Sequence, residues 1–285
     1  MVIFKKITDI KDYISIEGKS VGFVPTLGAL HEGHISLISK AREGGGLVVC
    51  SIFINPTQFN DKADFEKYPI TIDTDVIMLT EAGCDVLFLP SVDEIYPGGP
   101  GNIKSYEFGY LETILEGAQR PGHFKGVGQV VGRLLEIVQP QNLYLGQKDY
   151  QQCMVVTKLL EMMSIENKTK IVIANTIREQ DGLAMSSRNR RLTETQRLLA
   201  STIYKCLVSI KSKQTIDGFS IVQKECIDLL KQKGFIPEYV ALADARDLTI
   251  LNEYDTARPM IALIAAKLGD VRLIDNMLLN DAIIL

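Results

Sequence analysis

"VGFVPTLGALHEGHISLI", residues 21–38, decides how this chain begins to fold. Its first five residues are nearly all apolar, as in a strand covered on both faces. Pro25 and Gly28 end that run, and Ile35, Leu37 and Ile38 open a stripe at helical spacing. His31 and His34 therefore fall at a strand-to-helix turn or in the first helical turn, where free N–H groups and the helix dipole favour anions. Three readings of this pair are open. A metal site wants a third or fourth ligand, but HEGH falls short of H-E-x-x-H and no Cys/His cluster lies nearby. A structural pair would cap or pack the helix start. A phosphate site would use two donors to stabilise charge developing on a phosphoryl group.

Outward from this stretch, LVVCSIFI (47–54), DVLFLP (85–90), NLYLG (142–146) and KIVIA (170–174) read as further buried strands. Helical patterns separate them. Val127, Val130, Val131, Leu134, Leu135 and Val138 share one face of a helix over 126–138, and TDVIMLTEAGC (74–84) closes at Gly83. This alternation predicts an α/β fold with a Rossmann-like, doubly wound parallel sheet over residues 1–176, which binds ligands beyond the carboxyl ends of its strands. From 177 to 285 the texture is that of a smaller α+β domain. Thr193 and Gln196 have capping-box spacing before a long helical pattern, and another helix spans 218–233. EYVALAD (238–244) follows as a strand, then MIALIAAKL and VRLIDN, joined through Gly269-Asp270 as a hairpin.

A net charge of −4, with 46% hydrophobic and 23% charged residues, is ordinary globular composition and argues against a surface that coats nucleic acid. The five cysteines stand singly, which is no disulfide framework, and Cys50 sits in an apolar run as a core residue. MVIFKKITDI lacks the order of a signal peptide, and runs such as MIALIAA are well short of the ~20 residues that span a bilayer. These features predict a cytoplasmic protein without a membrane partner.

Two phosphate motifs fail. Gly18-Lys19-Ser20 mimics the end of a P-loop, but Tyr13 stands where its first glycine belongs, so Gly18 reads as a helix stop. Gly126-Val127-Gly128 is followed by Val131 rather than a third glycine, so kinases and NAD enzymes are not favoured. In YLGQKDYQQC (144–153), Asp149 and Gln152 fit a capping box that needs no ligand, while Lys148 stands at the same sheet end as the histidines and suits triphosphate oxygens. Gln58, after the Asn55-Pro56 turn, is either a routine loop residue or a ligand to substrate. GLAMSSRNRRL (182–192) is either a solvated basic turn or a donor cluster for phosphates. Arg120 and His123 sit on a Gly/Pro-rich loop that is either plain surface or a place to capture a carboxylate.

Taken together, PTLGALHEGH, SIFINPTQF, RPGHFKGV, LGQKDYQQ and REQDGLAMSSRN, in this order, resemble the pantoate–β-alanine ligase family, whose HxGH is its form of the HIGH motif of nucleotidyltransferases. The resemblance is strong from about residue 20 to 192 and continues more weakly to the C-terminus. It implies ATP-dependent condensation of pantoate with β-alanine through a pantoyl-adenylate, giving pantothenate, AMP and pyrophosphate, with Mg²⁺ accompanying ATP and no dedicated metal site in the protein. It further implies His34 as proton donor, with His31 assisting at the α-phosphate and Lys148 on phosphate oxygens. Leu27, Gly28, Ala29, Leu30, His31, Glu32, Gly33 and His34 would contact ATP. So would Gly146, Gln147, Lys148, Asp149, Ile177, Met185, Ser186, Ser187 and Arg188. Gln58 and Gln152 would hold pantoate, Gln58 would also touch β-alanine, and Arg120 and His123 would lie on the acid-binding side. A cytoplasmic homodimer is implied as well, with the C-terminal domain covering the active site.

Some positions depart from the family pattern: Leu27 stands where Met is common, Gln147 where Glu is common, and Thr57 lies within the N-P-x-Q element. Gln147 removes a charge, which puts a side-chain role there in doubt. The alternatives are a nucleotidyltransferase acting on a phosphorylated acceptor, and a non-catalytic nucleotide-binding regulator. The paired glutamines suit a neutral, hydroxyl-rich face rather than a second phosphate, which favours the ligase.

Overall fold

The computed structural model describes residues 1–59, 65–214 and 216–280. Its contacts divide the chain into two compact units, Met1–Gly146 with Gln151–Asn175, and Gln147–Tyr150 with Thr176–Leu285.

The first unit is built on six parallel strands: β1 (Val2–Phe4), β2 (Val21–Thr26), β3 (Leu47–Ile52), β4 (Val86–Phe88), β5 (Asn142–Gly146) and β6 (Lys170–Ala174). Their order across the sheet is β1-β4-β3-β2-β5-β6. After β2 the chain moves outward through β3 and β4, and returns to add β5 and β6 on the other side. The switch point lies between β2 and β5, where such a sheet leaves a crevice at its carboxyl edge. The strands are apolar on both faces because both faces are covered. Phe23, Val49, Phe88 and Leu143 belong to one core cluster, while Val24, Cys50, Leu87 and Tyr144 belong to another, as a period of two requires. Strand β1 has no counterpart among the strands read from sequence. Three residues long, with Val2 and Ile3 exposed, it lacks the flanking signals that marked the others. Strand β2 runs through Pro25, beyond Gly22 and Phe23 where it pairs with β5, so the missing proline N–H breaks no bond on that side.

Gly18 takes a left-handed conformation (φ 58°) and ends helix Ile7–Glu17, its N–H donating to Ile14 O. Helix Ile72–Glu81 stops just before Gly83, also left-handed at φ 77°. Helix His123–Val138 begins three residues earlier than its apolar stripe, so His123 is its first residue and not part of the preceding loop. It is also buried over far more than one face. Gly126 explains part of this, because its bare backbone lies directly against the carbonyl of Thr57, and a Cβ there would stand 2.9 Å from Gln58 Cα.

The second unit carries strands β7 (Phe235–Asp244), β8 (Ile250–Leu251), β9 (Met260–Leu268) and β10 (Val271–Leu278), in the antiparallel order β10-β9-β7-β8. Val271 pairs with Leu268 across Gly269 and Asp270, which makes the tight hairpin. Strand β7 starts three residues before EYVALAD, with a bulge between Pro237 and Tyr239 that absorbs the proline. Thr193 and Gln196 form the capping box, but the helix it opens stops at Ala200 and a second runs from Thr202 to Lys213. At the break, the Thr202 hydroxyl donates to Leu199 O at 2.7 Å, the local back-bonding that bends a helix. Helix Phe219–Gln232 completes a core containing Ile203, Leu207, Val222, Leu230 and Ile264.

The turn after β2 is held from a distance. Gly28 (φ 80°) and Ala29 (φ 51°) are both left-handed, and a side chain at Gly28 would press on Ile52 and Asp75. Asp75, in helix Ile72–Glu81 and 1% exposed, accepts from Ala29 N at 2.9 Å and Leu30 N at 2.8 Å, with Thr71 Oγ1 at 3.0 Å. One buried carboxylate thus stabilises a strained non-glycine residue. Asp75→Ala leaves two buried N–H groups unsatisfied and should lower unfolding free energy by about 3 kcal/mol in denaturant titration, with Asp75→Asn costing less. A wild-type midpoint for Asp75→Ala would remove the carboxylate from this role.

Candidate active site

His31 is the N-cap of helix Glu32–Glu43, and the two histidines close a reciprocal capping box. His31 Nδ1 accepts from Gly33 N at 3.1 Å, and His34 Nδ1 accepts from His31 N at 3.3 Å. Their rings lie 4.1 Å apart, centroid to centroid. The structural and the phosphate readings of this pair are therefore compatible, because each uses a different nitrogen. A ring whose Nδ1 accepts from the backbone carries its proton on Nε2, so both rings have Nε2–H as their donor. Most N–H groups at this helix start are engaged within it. Gly33 N goes to the imidazole, while His34 N and Ile35 N donate to His31 O. The imidazoles thus offer donors at this helix start, held by the backbone N–H groups of His31 and Gly33. Ala29 and Leu30 are fully buried, and their N–H groups are taken by Asp75, so within this segment it is Leu27 and His31 to His34 that reach the surface.

Beyond the neighbouring strand β3, Asn55 organises a second cluster. Its Oδ1 accepts from Tyr96 Oη at 2.8 Å, Thr57 Oγ1 at 3.0 Å and Thr57 N at 3.3 Å. Its Nδ2 donates to Gln58 Oε1 at 3.3 Å and Gly126 O at 3.2 Å. Burial pushes the Tyr96 phenol above its ordinary pKa, against the hydrogen bonds to Thr57 and Asn55, so it stays a neutral donor. His123 Nδ1 lies 2.8 Å from Gln58 O, which accepts only, so this ring carries its proton on Nδ1, the opposite tautomer to His31 and His34. Its Nε2 faces Arg120 Nη1 at 3.1 Å, and Arg120 in turn lies 3.9 Å from Glu116. Arg120 and His123 are thus brought to Gln58, where they brace its backbone.

With the side-chain carbonyl of Gln58 taken by Asn55, its Nε2 has no hydrogen bond among the described residues. Gln152, on helix Tyr150–Met163 after β5, is half-buried, and its amide likewise has none among the described residues. Adjacent Gln151 is buried and fully used by Glu116 N, Leu111 O and Ile114 O. The carboxyl edge of β3, β2 and β5, consecutive in the sheet, is therefore followed in each case by a polar candidate: Gln58, the histidine pair, and Gln152.

Of the remaining candidates, Gly146 ends β5 in the first unit and the others belong to the second. Gln147–Asp149 form a short 3-10 turn that runs straight into helix Tyr150–Met163. The Asp149–Gln152 capping box is not made. The helix has no free first turn there, and the exposed Asp149 carboxylate faces Lys148 Nζ at 3.7 Å instead. The Gln147 side chain does have a role, since its Nε2 donates to Asn276 Oδ1 at 3.2 Å. Met185 N donates to Ile177 O at 3.0 Å, and Arg178 bridges Ala184, so a small hairpin brings Ile177 beside Met185. Ser186 caps the turn Ser187–Arg191 by accepting from Arg188 N at 3.3 Å. Sequence reasoning missed Asp75, Asn55, Tyr96 and Asn276. Each has a partner 41 to 129 residues away, and no local spacing marks such a partner.

Among the described residues, no three His, Cys, Asp or Glu side chains gather to hold a metal ion. Comparison with known proteins gives a consistent picture. A sequence model of the pantoate–β-alanine ligase family matches residues 2–278. The chain is 44% identical to a pantothenate synthetase of Cytophaga hutchinsonii, over 91% of this chain and 92% of that protein. It is 46% identical to one of Alcanivorax borkumensis, over 91% and 90%. The crystal structure of pantothenate synthetase from Thermus thermophilus superposes with a TM-score of 0.90 at 36% identity, covering 97% of this chain and 99% of that one. The Francisella tularensis pantoate–β-alanine ligase, solved with β,γ-ATP and β-alanine, superposes at 0.82 with 38% identity, covering 98% and 97%. This chain belongs to the pantoate–β-alanine ligase family.

Proposed function

We propose that this chain joins pantoate to β-alanine in two steps, with ATP as the activating substrate. A pantoate carboxylate oxygen attacks the α-phosphorus and pyrophosphate leaves. The β-alanine amine then attacks the acyl carbon, loses a proton, and AMP departs with the bonding pair. A carboxylate is a poor acylating agent, and adenylation supplies the leaving group it lacks. The observation that carries this reading is the reciprocal histidine cap, which locks two imidazoles side by side with their protons on Nε2. Donors fixed before the reaction stabilise charge on the α-phosphate without reorganising, and His34 is assigned the leading role with His31 assisting.

ATP is assigned to Leu27–His34 in the first unit, and to Gly146, Gln147–Asp149, Ile177 and Met185–Arg188, with Lys148 and the serines on phosphates. The buried Ala29 and Leu30 serve that segment by shaping its turn. Pantoate is assigned to the amides of Gln58 and Gln152, and β-alanine to Gln58. Two neutral amides suit hydroxyl groups, whereas a second phosphate would call for cations. Mg²⁺ would arrive with the triphosphate, since this ion keeps most of its waters and uses phosphate oxygens in such sites. No helix among the described residues is long and apolar enough to cross a membrane. A cytoplasmic homodimer is the reading carried over from the family resemblance.

Incubated with ATP, pantoate and labelled pyrophosphate but no β-alanine, the protein should exchange label into ATP only when pantoate is present. Absence of exchange in folded protein would refute the ligase reading. His34→Ala should lower kcat roughly 10²- to 10³-fold while ATP still binds, and near-normal turnover would remove His34 from the chemistry. Gly126→Ala would drive a methyl group into the Thr57–Gln58 backbone, so the KM for pantoate should rise by about tenfold or more while the KM for ATP changes little. Equal effects on both substrates would detach Gln58 from pantoate.

A further inference from the structure

The second unit contains a polar group that neither the motifs nor the proposed reaction uses. Along β10 the burial alternates through Val271, Arg272, Leu273, Ile274 and Asp275, and then fails at Asn276, which is buried out of turn at 2% exposure. A buried amide needs partners, and Asn276 has a complete set. Both hydrogens of Nδ2 are donated, to Gln147 O at 2.9 Å and Lys148 O at 2.8 Å. Oδ1 accepts from Gln147 Nε2 at 3.2 Å, and the backbone N–H goes to Asp275 Oδ1 at 2.8 Å.

Asp275 is tied down just as firmly. It meets Arg178 in a two-pronged ion pair, with Nη1 to Oδ2 at 2.6 Å and Nη2 to Oδ1 at 3.0 Å. Burial raises the pKa of this carboxyl, and the Arg178 hydrogen bonds and charge oppose the shift. Arg178 also donates to Gly182 O at 3.0 Å and Asn276 O at 3.3 Å, and its guanidinium stacks on the Tyr204 ring, 4.6 Å from the centroid. Consecutive side chains leave a strand on opposite faces, so one dipeptide can hold two segments. Here those segments are Gln147–Lys148 and the hairpin that leads to Met185–Arg188. Gln147–Tyr150 count with the second unit although β5 and most of the following helix count with the first, and the bonds to Asn276 supply a physical reason.

We propose that Asn276 is a positioning residue for adenylation, fixing the Gln147–Lys148 backbone so that the Lys148 ammonium is held ready for the triphosphate, while Asp275 and Arg178 anchor Asn276 and the hairpin leading to Ser186–Arg188 to the same strand. This rests on the assignment of Lys148 and Ser186–Arg188 to ATP. The side chain of Asn276 is engaged with protein groups and acts through the two carbonyls it holds. Glutamine at 147 fits this role, because a side chain with an N–H donor completes the amide pair with Asn276 Oδ1.

The test uses the full-length chain and two readouts, ATP affinity by calorimetry and pantoate-dependent pyrophosphate exchange. Asn276→Ala should weaken ATP about tenfold and lower kcat, while the KM for pantoate stays within about twofold. Asn276→Asp, which sets an oxygen against two carbonyl oxygens, should weaken ATP further. Lys148→Ala combined with Asn276→Ala should bind ATP no worse than Lys148→Ala alone, because the amide acts through the lysine. Folded Asn276 variants that keep wild-type ATP affinity, or losses that multiply with Lys148→Ala, would overturn the proposal, as would equal weakening of ATP and pantoate. If Asn276→Ala does not fold, Asn276→Ser and Gln147→Met carry the same measurements. A wild-type chain without pantoate-dependent exchange would overturn the ligase reading, and the ATP affinities would still decide the role of Asn276.

Discussion

Two backbone N–H groups at the start of helix Glu32–Glu43 are satisfied by two imidazoles, and much of the molecule is arranged so that this exchange can take place. A helix start leaves donors without partners, and serine, threonine or aspartate ordinarily meets them. Histidine in that role sacrifices no capping bond, since Nδ1 accepts, and it aims Nε2–H away from the backbone. The geometry holds only if the turn before it is rigid. That turn is rigid because a buried carboxylate from another helix takes the N–H groups of Ala29 and Leu30. The histidine pair is thus a capping box supported by a distant acid.

The same arrangement recurs at Gln58 and Lys148. Asn55 uses its amide and carbonyl to join Tyr96, Thr57, Gln58 and Gly126, and His123 braces the Gln58 carbonyl with its tautomer reversed. Asn276 is a second buried asparagine of this kind, holding the backbone carbonyls of Gln147 and Lys148 where Asn55 holds the side-chain oxygen of Gln58. In each case a buried asparagine has both of its side-chain polar atoms occupied, and it fixes either a neighbouring side-chain oxygen, as at Gln58, or a stretch of backbone, as at Gln147 and Lys148. Fully satisfied buried networks define a unique geometry, which suits a reaction whose acceleration depends on placing a carboxylate in line with a phosphorus atom.

The two kinds of conclusion have different physical origins. Strands β2 to β6, the longer helices between them, the capping box of Thr193 and Gln196 and the turn at Gly269-Asp270 were legible because each depends on residues within a few positions of one another. Hydrophobic periodicity and turn chemistry are local signals. Strand β1 escaped because three residues carry too little pattern, and the break at Ser201 escaped because a hydroxyl back-bond does not alter periodicity. The histidines, Lys148 and the glutamines could be picked out by type and position relative to strand ends. The Asp149–Gln152 cap was a sound local inference that failed, because the chain enters that helix through a 3-10 turn.

By itself, then, the sequence determined the parallel sheet, the edge at which polar residues collect, and the family these motifs resemble. Tertiary structure alone decided which nitrogen of His123 carries the proton, which glutamine is committed to the scaffold, and which buried residues hold the others in place. Tautomer and amide orientation follow from hydrogen-bond partners, and those partners lie as far as 129 positions away along the chain. Their pairing is set by the packing of strands and helices, so it comes into being only when the chain has folded.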